Sequence, residues 1–501
     1  MSDQEELSRG ELVELVRAQA ARLADQASRL EAQAAELDRL RAELERLRRL
    51  LSRNSGNSSM PPSTDDLPGR RKPARREETP VGGKKRKRGK QPGAAGTNLA
   101  WLDDAEVIDH RPVGMCECGT DLAEAADEGI ARACQVTDVP LVSVRTTEHR
   151  IHRTRCACGR WHVAPAPAEG TAANTRVYGP NIRTLVVYLL VFQHVPVHRC
   201  VQLVCDLTGA APSVGFVHGM LARCAAALAE ATKMIKALVT LAAVVHFDET
   251  TLRVGKAGLK KYVWNASTNR YTLFALGRRT GKQFRTFAVG SGFRGVAVHD
   301  RYPVYDTPGN FADGVRHQLC CSHLLRDLAD AAESYPDAVW PTQCARALRG
   351  LIHAANTASD AGHHQVDPKL RKRLVNEFRQ GVLVGLKDIP RVGGPHHKQL
   401  PARSLLEDLR DRHDDVMRFC YDTTIPATNN QAERDLRPTK TQQKISGRLT
   451  SDDATEARLT IRGYVSTAVK HGVNALHALN SATTGQPWLP PAAAALSYAG
   501  P

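Results

Sequence analysis

Leu23, Leu30, Leu37, Leu44 and Leu51 recur every seven residues, and Gln19, Gln26, Gln33, Leu40 and Leu47 fill the other seam position of the same heptad. An α-helix has 3.6 residues per turn, so a strict seven-residue repeat keeps one stripe against a partner only when helices wind around each other. Residues 1–53 are therefore expected to form a coiled coil that makes the chain a homodimer or higher homo-oligomer. Gln at successive core positions costs stability but fixes register and strand number. The alternative is a single amphipathic helix lying on its own protein.

After Ser52 the pattern collapses into Asn, Ser, Pro, Gly and charge, and no packed core can form there. Residues 54–99 are expected to be a disordered basic linker. Between Pro68 and Lys90 eleven Lys and Arg, among them Arg70, Arg71, Lys84, Lys85, Arg86, Lys87 and Arg88, face only Glu77 and Glu78. More than half of the formal charge of +16 thus sits in one segment. Such an arm neutralises phosphates by counterion release, which gives affinity without sequence choice; the bland alternative is a solubilising tether. The overall basicity makes double-stranded DNA the expected partner.

The rest is globular. A chain of 501 residues, 42% hydrophobic, is long enough for three or more units with a sizeable core. No run reaches the roughly 20 apolar residues needed to span a bilayer, and the acidic start does not read as a secretory signal. A reduced, cytoplasmic and nucleoid-associated setting is expected, so the 12 cysteines read as thiols or metal ligands rather than disulfides. Residues 100–165 are bracketed by Cys116-Glu117-Cys118-Gly119 and Cys156-Ala157-Cys158-Gly159. Two thiol pairs at the ends of a long loop look like the two knuckles of a zinc-ribbon-like domain, with Cys116, Cys118, Cys156 and Cys158 holding one structural zinc. Free cysteines at turns are the alternative, and Cys134, His149, His152 and His162 are substitute ligands. Residues 166–240 carry helical periodicity broken at Val195-Pro196, and Ser213 reads as a helix cap. This region is either a helix-turn-helix-like DNA-binding unit or an ordinary helical packing unit.

Beyond it, the apolar run Ala242–Phe247 ends in Asp248-Glu249-Thr250, and Gly295–His299 ends in Asp300. Further strands are expected at Lys261–Ser267, Tyr271–Leu276 and His317–Cys321, with a helix over Leu324–Ala332. Acids at strand ends collect carboxylates at one sheet edge. A third acid, Glu433, lies where a helix starts. Three carboxylates suit a pair of divalent cations, which can hold the attacking and leaving oxygens of an in-line phosphoryl transfer. Taken singly, Asp248 and Asp300 also read as turn residues, and Glu433 as a capping-box partner of Asn430.

The chain resembles the transposases of insertion-sequence family sixty-six, a branch of the DDE transposases. The resemblance rests on Asn57-Ser58-Ser59-Met60-Pro61-Pro62-Ser63, Asp248-Glu249-Thr250 and Asp300-Arg301-Tyr302-Pro303-Val304-Tyr305. It rests most on Cys320-Cys321-Ser322-His323-Leu324-Leu325-Arg326-Asp327 and on Asn429-Asn430-Gln431-Ala432-Glu433-Arg434-Asp435-Leu436-Arg437-Pro438. It implies a ribonuclease-H-like α/β core over residues 241–332 and 425–480, interrupted by a helical insertion at 333–424, in a multidomain α+β chain with a tail at 481–501. It further implies that Asp248, Asp300 and Glu433 are a catalytic triad holding two Mg²⁺ or Mn²⁺ ions. The activity implied is cleavage of DNA at terminal inverted repeats and strand transfer to a target, with companion proteins encoded by the same element. Cys320, His323 and Arg326 read as a structural cluster or as groups positioning DNA near the metals, while Lys440, Lys444 and Arg448 are expected to pair with phosphates. A non-catalytic DNA-binding derivative and a metal-dependent nuclease on the same fold are the rival functions. The Cys-x-Cys spacing, Met60 in place of Lys and the sequence after Pro438 depart from the family pattern.

Overall fold

The computed structural model describes residues 9–52, 100–137, 144–165, 176–256, 260–287, 289–393 and 399–491. The linker residues Arg70, Arg71, Lys84, Lys85, Arg86, Lys87 and Arg88 lie outside this set, as does the chain beyond residue 491. The described residues are mixed α+β, with fourteen α-helices, a two-stranded sheet and a mixed five-stranded sheet. None of these helices is long and apolar enough to cross a membrane. The chain divides into two compact units, residues 75–147 with 207–209, and the remainder.

In the smaller unit, Cys116 and Cys118 sit on a tight turn closed by Cys116 N–H to Thr120 O (2.9 Å) and Gly119 N–H to Cys116 O (2.9 Å). In the larger unit, β1 (Arg153–Arg155) pairs antiparallel with β2 (Trp161–Val163). Between them Cys156 and Cys158 occupy the same kind of turn, with Cys156 N–H to Arg160 O (2.8 Å) and Gly159 N–H to Cys156 O (2.8 Å). Gly119 and Gly159 adopt φ of +89° and +88°, a region that side-chain-bearing residues disfavour. That is why a glycine follows each thiol pair.

The larger unit begins with α1 (Arg9–Ser52), one unbroken helix of 44 residues. Its seam residues Leu23, Leu30, Leu37 and Leu40 are 54% to 65% exposed, so none of the described residues covers that stripe. Helix α2 (Pro180–Val187) widens into a π-helical turn at Tyr188–Phe192. Pro196, which lacks an N–H, separates it from α3 (Val197–Thr208). Then come α4 (Val214–Ala227), with the Ser213 hydroxyl accepting Phe216 N–H at 3.1 Å as a cap, and α5 (Ala229–Leu241).

The central sheet follows: β3 (Val244–Arg253), β4 (Lys260–Ser267), β5 (Thr272–Gly277), then α6 (Gly281–Phe287), β6 (Val296–His299) and β7 (Arg316–Leu319). Its order is β5-β4-β3-β6-β7. The first three strands are antiparallel neighbours, and β3, β6 and β7 run parallel. Side chains alternate across it. Val245, Phe247, Trp264 and Ala275 share a core with Leu190, Leu221, Ile235 and Tyr464, so the helices of residues 180–241 are packed into the sheet domain. Leu252, Val263, Phe274 and Leu276 point to the other face, toward Leu436.

From β7 the chain enters α7 (Cys321–Ser334), α8 (Trp340–Asp360), α9 (Pro368–Asp388), α10 (Pro401–Asp411) and α11 (His413–Tyr421). These have a core of their own, built on Leu324, Leu328, Trp340, Leu348, Phe378, Leu406 and Phe419. The chain then returns to the sheet as α12 (Asn430–Ile445), α13 (Asp452–Lys470) and α14 (Ala475–Thr483).

Candidate active site

Parallel register places Val244, Val245 and His246 of β3 beside Val296, Ala297 and Val298 of β6. Two residues beyond His246 and Val298 come Asp248 and, just past the end of β6, Asp300, and by strand alternation Asp248 lies on the face that carries Leu252 and Val263. The sequence expectation that Asp248 ends its strand is corrected. β3 continues to Arg253 because its other edge pairs with β4 throughout, and Asp248 lies where only the parallel pairing with β6 stops. The acid is therefore fixed by backbone pairing on its β4 side, with its carboxylate accepting Glu249 N–H at 2.8 Å. The Asp300 carboxylate accepts Tyr302 N–H at 2.9 Å. Arg301, next in the chain, bridges Asp327 of α7 (3.0 Å) and Asp408 of α10 (2.6 Å), tying this loop to the inserted helices.

Burial, then the carboxylates of Glu249 and Asp300, push Asp248 up to about 8. Like charges crowded into one site resist ionising together, and a divalent cation relieves that crowding. Glu249 points to the opposite sheet face. Its carboxylate, 2% exposed, accepts Tyr305 O–H (2.6 Å) and pairs with Arg279 (2.6 Å).

Glu433 occupies the first turn of α12. The helix start is pinned to β3: Asn429 donates to Phe247 O (2.7 Å), and its Oδ1 meets His246 Nδ1 (3.0 Å). No side chain caps α12, so the capping-box alternative for Glu433 fails. Its carboxylate instead faces Arg326 (3.5 Å) and His323 Nδ1 (4.0 Å) of α7. His323 in turn interacts electrostatically with Asp248 and Asp300, while the ligand atoms of Cys320, His323 and Glu433 lie within 4.8 Å of one another in a group that includes neither aspartate. Burial works to lower the His323 pKa, but the Cys320 sulfur and the Asp300 carboxylate outweigh it and hold it up at about 9. Two other acids near these motifs are engaged elsewhere. Asp435 is buried against Lys470 (2.7 Å), and Asp306 pairs with Arg412 (2.8 Å).

Lys440, Lys444 and Arg448 do not join this cluster. Lys440 and Lys444 are exposed farther along α12, on the face that begins at Glu433 and includes exposed Arg437. Arg448, beyond the helix, donates to Lys256 O at 3.0 Å.

Asn265 was not singled out by sequence reasoning. It lies directly opposite Asp248 in the β3–β4 pair and is 1% exposed, yet neither of its amide atoms has a hydrogen-bond partner. A buried amide without partners is costly, and its place beside Asp248 suits a ligand-rich centre. The only signal in the sequence is an Asn amid the apolar residues Val263, Trp264 and Ala266 of a strand. Oxygen donors from Asp248, Asp300 and Glu433 fit Mg²⁺ or Mn²⁺.

A family model described as Transposase IS66 family matches residues 175–457, and a family of unknown function matches residues 4–100. Among curated proteins, the chain is 29% identical over 184 residues to the uncharacterized protein y4jO of Sinorhizobium fredii. That match covers 36% of this chain and 51% of the relative, so the chain spans about half the length of the curated relative it matches.

Proposed function

Because the chain belongs to the IS66 family of transposases, we propose that it binds the inverted repeats at an element's ends, cleaves a phosphodiester there and joins the freed 3′-hydroxyl to target DNA. The observation that supports this reading is that Asp248 and Asp300 follow the parallel register of β3 and β6, while Asn429 ties the start of the helix that carries Glu433 to β3. On this reading β3, β6 and α12 belong to a ribonuclease-H-like core, and α8 to α11 are its insertion. Asp248, Asp300 and Glu433 would hold two Mg²⁺ or Mn²⁺ ions. Bound there, the ions supply charge for the attacking and leaving oxygens and lower the pKa of water.

The chain's own residues prepare the site. Backbone N–H groups orient both aspartates, and Arg326 balances Glu433 before ions enter. Arg437, Lys440 and Lys444 offer a basic edge for phosphates leading away from Glu433. The linker arm from Arg70 to Arg88 adds affinity without sequence preference. We also assign coiled-coil association to α1, and to each of the two cysteine turns a pair of thiolates for structural zinc. Participation of companion proteins from the same element belongs to this reading too.

The test is a Mg²⁺-dependent cleavage and joining assay on DNA carrying the element's flanks, with wild type and Asp300→Ala. Joined products from wild type alone, with end binding near normal in the variant, are expected. Cleavage that never proceeds to joining replaces this reading with that of a nuclease.

A further inference from the structure

Cys320 is the N-cap of α7 and His323 lies three residues on, so sulfur and imidazole project from one side of the helix start. Glu433 meets them from α12, and one ligand atom from each residue lies within 4.8 Å of the other two. Two details mark this as more than packing. His323 Nδ1 is buried without a hydrogen-bond partner, although nitrogens so placed normally find one. Cys320, 1% exposed, accepts the Asn429 N–H at 3.1 Å, so its sulfur is held in place beside His323 by the start of α12.

Hard cations such as Mg²⁺ take oxygen ligands, whereas a thiolate with an imidazole selects a softer ion, and one of each with a carboxylate suits zinc. We propose that Cys320, His323 and Glu433 form a zinc site with three protein ligands and one open position. Zinc bonds of about 2.0–2.3 Å require donors roughly 3.5 Å apart. The 4.0 Å between His323 Nδ1 and Glu433 Oε1 therefore closes only slightly, with Arg326, 27% exposed, swinging off Glu433. The regulatory consequence rests on the proposed transposase reading. Zinc here takes Glu433 away from the two aspartates, so micromolar zinc inhibits the Mg²⁺-dependent reaction.

The test uses the full chain, stripped of metal, titrated with Co²⁺ and followed by the thiolate-to-cobalt charge-transfer band. Wild type, Cys320→Ser, His323→Gln and the double variant Cys116→Ser with Cys118→Ser are compared. Cys320→Ser is expected to remove a component of the band that the double variant retains. A Cys320→Ser spectrum that superposes on wild type overturns the site. Because Cys320 is buried and its loss can unfold α7, His323→Gln provides the second reading. It keeps the sulfur and so the band, but needs at least about tenfold more Co²⁺ to reach it; an unchanged titration overturns the site. A Cys320-dependent band in a protein that neither cleaves nor joins DNA upholds the zinc site while sinking the transposase reading. Strand transfer that Cys320→Ser leaves equally sensitive to zinc overturns the regulatory role.

Discussion

Asp248 and Asn265 face each other across β3 and β4, one carrying charge that its surroundings resist and the other an amide with nothing to bond. Replacing a buried, unsatisfied polar group by an apolar one of similar size is nearly neutral or stabilising. Asn265→Val is therefore expected to leave urea stability within about 1 kcal/mol of wild type or to raise it. If the amide faces metal-bound water, the same variant needs at least about tenfold more Mg²⁺ for half-maximal cleavage. An unchanged Mg²⁺ requirement removes Asn265 from the site. Asp435 shows the opposite economy. It lies only two residues from Glu433, but Lys470, Gln431 and the Thr272 hydroxyl all reach its carboxylate, leaving it no part in the candidate centre.

At the scale of elements, the site depends on how closely β6 approaches β3. Gly295, just before β6, leaves no room for a side chain: a Cβ there would lie 2.2 Å from Ala243 O. That carbonyl accepts Val296 N–H at 2.8 Å, the bond that starts the parallel pairing leading to Asp300. Gly295→Ala must push the strands apart and is expected to cost about 3 kcal/mol by denaturant unfolding, with cleavage falling alongside. A variant as stable as wild type would mean that the strand entry adapts freely. Helix α12 is fastened at both ends, by Asn429 at its start and by Gln443 donating to Thr251 O (2.8 Å) near its end. The stretch of basic residues along it is thereby held in a fixed direction from Glu433.

The whole molecule joins an uncovered heptad helix to a domain with a large core, and its stability responds to pH through buried imidazoles. Burial, then Arg462 and Arg458, lowers His194 from 6.5 to about 4. Its contribution is present in full above pH 6.5 and is lost as pH falls toward 4, because the unfolded chain takes up the proton first. The loss attributable to this one group is at most about 3 kcal/mol. Denaturation midpoints between pH 7 and 4.5 should fall less steeply in His194→Asn, a residue that tolerates the φ of +58° found here; parallel slopes would contradict the assignment. If α1 associates as proposed, removal of residues 1–52 is expected to lower the mass by light scattering to that of a monomer while leaving the sheet domain folded; an unchanged oligomeric mass would place association elsewhere. The periodic stretches were readable along the chain because helix and strand geometry repeat locally. The heptad, the Ser213 cap, β4 to β7 and the start of α12 follow from patterns spanning a few residues, whereas α7 begins at Cys321, inside the stretch expected to be strand, because β7 stops at Leu319. Glu433, 133 residues beyond Asp300, was legible only through motif resemblance. Neither the continuation of β3 past Asp248 nor the merging of α2 to α5 with the sheet core was legible, since both depend on partners distant in sequence. The sequence by itself nominated the candidate acids and marked the Ser213 cap and the start of α12. Only tertiary structure decided which carboxylates stay free, because pairing with Lys470, Arg412 or Arg279 is settled by packing and not by spacing.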